Sequence, residues 1–91
     1  MSFLYVIAAS ETGPVKLGLS VHPEKRVRQL QTGSALPLKI FHTEEIDDAL
    51  VKPAESALHR LLSYRRLKGE WFDLTVEQAI AEVIHIRMLE G

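Results

Sequence analysis

The sequence predicts an α+β domain, with a small mixed sheet led by a β-hairpin and flanked by helices in the order β-β-α-β-α-(β)-α. Three observations carry that expectation. Short runs of β-branched and aromatic residues open the chain and are broken by a dense turn signal. Two later stretches repeat apolar residues at i, i+3, i+4 and i+7, the spacing of helices with one buried side. The length of 91 residues, with 46% apolar and 25% charged, leaves room for one core spanning 1–91.

The elements follow in chain order. Residues 3–9 (Phe-Leu-Tyr-Val-Ile-Ala-Ala) read as a strand, and Ser10-Glu11-Thr12-Gly13-Pro14 as the turn into a second strand at 15–20. Pro23 suits the first turn of a helix, where its missing N–H is no loss. That helix runs to about Gln31, with Gly33 as its stop. Residues 38–44 alternate as a third strand. Residues 47–52 read as a short helical turn, ended by the constraint Pro53 puts on its predecessor. Pro53 then restarts a helix carrying Ala54, Ala57, Leu58, Leu61 and Leu62. Gly69 closes a loop, and residues 70–74 are extended. Thr75 and Gln78 form a capping-box pattern ahead of a helix that buries Val76, Ala79, Ile80, Val83 and Ile84.

Composition removes several classes of function. There is no cysteine, which excludes disulfides, thiolate zinc sites and a cysteine nucleophile. No apolar run approaches the 18 residues a membrane-spanning helix requires. The apolar start lacks a basic leader and reads as a strand, not as a signal peptide, so the expected location is cytoplasmic. The formal net charge is -1, but the charges are unevenly spread. Between Lys16 and Lys68 there are ten basic residues and six acidic ones; from Glu70 onward there are five acidic residues and only Arg87. The middle of the chain is therefore a candidate basic face for nucleic acid, or a solvated surface with ordinary scatter.

Glu55 and His59 stand four apart on one helix and are neighbours on its surface. At helical spacing Leu62 falls about 20° from Glu55, which puts this carboxylate at the margin of the apolar stripe. A carboxylate there needs a partner, either the histidine as a helix brace or a cation. Tyr5 shares one strand face with Phe3 and Ile7, and reads alone as a half-buried aromatic. Arg26 lies between Lys25 and Arg28, either solvated or aimed at a phosphate. Leu30-Gln31-Thr32-Gly33 is a polar helix end suited to a nucleic-acid backbone or to ordinary termination. Tyr64-Arg65-Arg66-Leu67-Lys68 sets three cations at a helix end, which the helix dipole favours in any case. Trp71-Phe72 reads as a hydrophobic plug on the sheet. His22, His42 and His85 have no metal-ligand spacing among themselves, and no phosphate-cradling glycine loop is present.

In order along the chain stand Leu4-Tyr5-Val6-Ile7, Val15-Lys16-Leu17-Gly18-Leu19-Ser20, Pro23-Glu24-Lys25-Arg26 leading into Leu30-Gln31-Thr32-Gly33, Glu55-Ser56-Ala57-Leu58-His59, and Arg66-Leu67-Lys68-Gly69-Glu70-Trp71-Phe72. This ordered set resembles the GIY-YIG nuclease superfamily, in particular the short branch of phages, bacteria and fungi typified by the meiotically up-regulated gene domain. The resemblance implies an endonuclease that hydrolyses phosphodiester bonds in DNA with one Mg²⁺ or Mn²⁺ ion. It implies Tyr5 as general base or water orienter, Arg26 as the phosphate clamp and Glu55 as the metal ligand. The Glu55–His59 pairing resembles the branch's own signature. Lys25, Arg28, Gln31, Thr32, Arg65, Arg66 and Lys68 become expected backbone contacts. Two positions depart from the superfamily pattern: Lys16 replaces a tyrosine, and Phe3 replaces the leading glycine. Lys16 is the expected cation that makes the Tyr5 phenol more acidic. Little sequence readout is expected from backbone contacts alone, so specificity would come from a protein partner. The alternatives are a non-catalytic nucleic-acid- or protein-binding module on the same fold, and a structural protein whose Glu55–His59 pair is a brace.

Overall fold

The computed structural model describes residues 1–90. It has five strands, β1 (Ser2–Ala8), β2 (Val15–Ser20), β3 (Lys39–Ile46), β4 (Arg66–Lys68) and β5 (Trp71–Phe72), and three helices, α1 (Pro23–Gln31), α2 (Asp48–Leu61) and α3 (Val76–Glu90). A short 3-10 turn, Ser63–Arg65, links α2 to β4. The strands form one sheet in the order β3-β1-β2-β5-β4. The α+β class stands. Every ladder is antiparallel, so the sheet is not mixed.

Alternation along β1 divides the molecule into two faces. Leu4, Val6 and Ala8, with Val15 and Leu17 of β2, point into a buried cluster completed by Val51, Ala54 and Leu58 of α2, Ala79, Val83 and Ile86 of α3, and Phe72. Tyr5 and Ile7 are equally buried but belong to the opposite face, the side on which Arg26 of α1 meets the Tyr5 hydroxyl. The β1–β2 register sets Tyr5 opposite Gly18 and Ile7 opposite Lys16. Tyr5 is therefore fully covered, not half-buried.

The ends of α2 and α3 show why helices form here. The Asp47 side chain accepts from the Ala49 N–H at 2.8 Å, capping α2 a full turn before Pro53. Ser2 donates to Asp48 at 2.7 Å and ties that start to β1. Pro53 thus lies inside one continuous helix and does not divide two. The proline removes one ladder bond, while Val51 and Ala54 on either side of it are buried and hold the helix to the sheet. Ahead of α3, both hydrogen bonds of the capping box form: the Gln78 N–H donates to Thr75 Oγ1 at 3.1 Å, and the Thr75 N–H to Gln78 Oε1 at 3.0 Å.

Three further expectations are revised. Arg66 and Lys68 lie on a strand and Arg65 in the 3-10 turn, so these cations do not compensate a helix end. β3 continues two residues past 44, to Ile46, because Ser2 pairs with Ile46 at the end of its ladder with β1. Ile86, not Ile84, completes the buried face of α3, and Ile84 is 38% exposed.

Candidate active site

β5 is only two residues long and pairs with β2 at Val15 and Lys16. Beyond that point the edge of β2 needs other partners. The Leu17 N–H donates to the Glu70 carbonyl at 3.0 Å. The Leu17 carbonyl accepts from His59 Nε2 at 3.0 Å, and the Leu19 N–H donates to the Glu55 carboxylate. Side chains of α2 thus take over where a strand stops. This is a brace, but to β2, and no Glu55–His59 hydrogen bond occurs among those described.

The same edge gathers polar side chains from both faces. Glu55, His59 and Glu70 each present a ligand atom, and these atoms lie within 4.8 Å of one another. Tyr5 and Arg26 approach from the α1 face, where the guanidinium donates to the phenol oxygen. Gly18 makes room for this approach. A Cβ at Gly18 would collide with the Tyr5 hydroxyl, stand 2.6 Å from Tyr5 Cζ, and lie 3.0 Å from Glu70 Oε1. Only a residue without a side chain lets a phenol and a carboxylate share that space.

Two cations already touch the cluster. Lys16 Nζ lies 3.3 Å from Glu70 Oε1 and 5.7 Å from the Trp71 ring centre. Lys16 is 8% exposed, its stem covered and its charge committed to Glu70. Arg66 Nη2 lies 3.4 Å from His59 Nδ1, and its guanidinium stacks 5.7 Å from Phe72. Because Nε2 donates to a carbonyl and a guanidinium can only donate, the His59 lone pair is on Nδ1.

Electrostatics follow from this crowding. Burial pushes the Tyr5 phenol above its ordinary range, with the Arg26 hydrogen bond pulling the other way and Glu70 adding to the rise. The cation at the phenol is Arg26. The expectation that Lys16 serves Tyr5 is therefore revised. The hydrogen bond to Tyr5 in turn raises Arg26 further. Burial, then the charge of Glu70, raises the Glu55 carboxyl; His59, the Leu19 N–H and Lys16 oppose that rise. Two partly buried carboxylates this close favour a positive charge between them.

Of the remaining expected contacts, Lys25 and Arg28 are exposed along α1. Lys25 and Arg26 line a cleft of about 210 Å³ with Ser20, His22 and Gln29, and Arg28 borders a neighbouring one of about 400 Å³. The Gln31 side chain instead closes the loop after α1, donating to the Leu36 carbonyl at 3.0 Å and accepting from the Leu38 N–H. Thr32 Oγ1 donates to the Gln29 carbonyl at 2.7 Å. Both are occupied by local structure. Arg65 stacks on Tyr64, and Lys68 is exposed on β4. The cluster thus lies between two basic arms, each sending in one arginine: Arg26 from α1 and Arg66 from β4.

Sequence reasoning did not single out Glu70. It follows Gly69, whose φ of +57° turns β4 into β5, and nothing in local spacing links it to Glu55, fifteen residues earlier on α2.

The structure is thus an α+β module with an acid–imidazole–phenol cluster set between two basic arms. Residues 2–87 match the T5orf172 domain, and the chain belongs to that family of nucleic-acid-related modules. No curated protein and no solved structure matches it. No helix among the described residues is long and apolar enough to cross a membrane.

Proposed function

We propose that this domain is a metal-dependent endonuclease of the GIY-YIG type, hydrolysing phosphodiester bonds in DNA. The observation that carries the reading is the meeting, at the open edge of β2, of the Tyr5–Arg26 pair with the Glu55, His59 and Glu70 donors. Family membership over residues 2–87 supports a nucleic-acid substrate.

The donor set fits a divalent cation. It offers two carboxylates and one imidazole, whose Nδ1 lone pair the ion would take over from Arg66, and the space kept open by Gly18 adjoins one of those carboxylates. Glu55, His59 and Glu70 would hold the ion. An oxygen-rich set suits Mg²⁺, and the imidazole widens acceptance to Mn²⁺. When bound, such an ion neutralises charge on phosphate oxygens and on the leaving oxygen.

The chain's own groups do the remaining work. Arg26 binds a non-bridging phosphate oxygen, and its charge is worth most when developing negative charge is greatest. The Tyr5 oxygen already accepts from Arg26, and burial keeps the phenol protonated. Its hydrogen is thus available to orient water or a phosphate oxygen. Of the two expected roles, water orienter suits it better than general base. Water adds to phosphorus, the bond to the leaving sugar oxygen breaks, and protons exchange with solvent. Lys25 and Arg28 grip neighbouring phosphates without reading bases.

The test is nicking of supercoiled plasmid in Mg²⁺ or Mn²⁺ by wild type and by Glu55→Gln, with melting curves alongside because Glu55 also holds the edge of β2. The variant should cut at least about a hundredfold more slowly while melting as a folded protein. Equal cutting by both proteins would overturn the reading, as would failure of the wild type to cut with either metal. In the second case DNA binding that survives Glu55→Gln would point to the non-catalytic module.

A further inference from the structure

Lys16 is buried and its partner Glu70 half-buried at the side of the donor cluster, and the proposed reaction leaves the positive member of the pair without a task. Lys16 stands where the superfamily resemblance has a tyrosine. Its ammonium touches Glu70 Oε1 at 3.3 Å and overlies Trp71, and its stem is covered. Glu70 Oε1 also faces the Gly18 space, so one carboxylate oxygen is shared between a fixed ammonium and the gap beside Glu55 and His59. An oxygen whose lone pairs serve an ammonium is a weaker ligand, and an ion that engages it must compete with that ammonium.

We infer that Lys16 is an internal stand-in cation: Glu70 is the third protein ligand for the divalent ion, and ion binding displaces the Lys16 ammonium from it. The inference rests on the cation site in the proposed function, but it concerns affinity and side-chain movement, not cleavage. The exchange conserves charge balance at Glu70, since one positive partner replaces another. It spares the metal-free protein two facing carboxylates with no counter-charge. It also sets a threshold, because the ion must be attractive enough to break an existing pair. The freed ammonium remains on the Tyr5 side of the sheet, where β2 holds residues 16 and 18 on one face.

Trp71 is the only tryptophan and lies under the Lys16 ammonium, so its emission reports the exchange directly. The experiment titrates Mg²⁺ into the full chain, follows Trp71 fluorescence, and measures affinity independently by calorimetry. Four proteins are compared: wild type, Lys16→Met, Lys16→Arg and Glu70→Gln. Wild type should show a saturable emission change with the midpoint of the calorimetric isotherm. Lys16→Met keeps the apolar stem and removes the competitor, so affinity should rise about fivefold, the equivalent of a pair worth about 1 kcal/mol. The emission change should be largely lost. Lys16→Arg retains a competing cation and should not raise affinity. Glu70→Gln should lower affinity at least about tenfold, as loss of a ligand requires.

Lys39→Met, which removes an exposed charge on β3 at the opposite edge of the sheet, separates direct competition from general electrostatics. If it raises affinity as much as Lys16→Met does, the inference is overturned. Unchanged affinity in Glu70→Gln would overturn it equally, even if plasmid cleavage proceeds. Conversely, a wild type that binds Mg²⁺ with the stated emission change but cuts nothing would sink the nuclease reading and leave the exchange standing. Melting curves on all variants guard against loss of fold. Should Lys16→Met fail to fold, nitrogen-detected NMR of the Lys16 ammonium in wild type decides the matter, since an ammonium unmoved by saturating Mg²⁺ excludes displacement.

Discussion

On the sheet face that carries Leu4, Val6 and Leu17, α2 and α3 press a continuous set of aliphatic side chains against the strands. On the other face, α1 buries only Pro23 among its own residues, and its link to the sheet includes a guanidinium resting on a phenol. The first face is cohesive through area removed from water, which is non-directional and tolerant of small shifts. The second is held by directional polar contacts, which give position more than stability. The difference separates the part of the molecule that keeps it folded from the part that orients the groups of the proposed site.

The largest expected effect falls on the aliphatic side. Leu58→Ala removes a fully buried side chain and should cost about 2–5 kcal/mol in denaturant unfolding. Val27→Ala, at a half-buried position on α1, should cost about 1 kcal/mol or less. Equal losses would erase the contrast between the faces.

Gly18→Ala comes next and sharpens the comparison from the polar side. Its methyl group would press against Tyr5 Cζ and Glu70 Oε1, so the phenol must move. The expected outcome is a drop in plasmid nicking of about a hundredfold, the scale of an ångström's misplacement. The accompanying stability loss should be about 1–3 kcal/mol, as for modest overpacking. Wild-type nicking in this variant would show that the position of Tyr5 does not matter.

The smallest effects belong to the arm farthest from either core. Lys25→Ala and Arg28→Ala should each reduce the slope of log affinity for duplex DNA against log salt by about one, with no change in melting temperature. An unchanged slope in both variants would remove α1 from the DNA contact surface.

Most of the architecture was readable from the residues, because most of it obeys local rules. The opening hairpin, the start of α1 at Pro23, and the reciprocal bonds of Thr75 and Gln78 need only nearest neighbours. Pro53 misled for an instructive reason: a proline signals a break, but the Asp47 cap and the burial of Val51 and Ala54 act over a longer stretch and keep the helix whole. Tyr5, Arg26, Glu55 and His59 could be selected because each belongs to an ordered set of motifs. The company of Glu70, and the transfer of Lys16 from Tyr5 to Glu70, are products of tertiary pairing between β2 and β5. Gln31 and Thr32 look like ligand-facing polar residues in one dimension and prove to be staples of their own loop.

The brevity of β5 has one last consequence. An uncovered strand edge is a template on which other chains can polymerise, and proteins ordinarily blunt such edges with charge, bulges or covering segments. Here the side chains that cover β2, beside the Glu70 carbonyl, belong to Glu55 and His59, residues that the proposed cation would also recruit. The edge of β2 and the proposed cation site thus depend on the same two side chains, and a double substitution made to silence the proposed activity should also bare that edge, which light scattering by the purified variant would reveal.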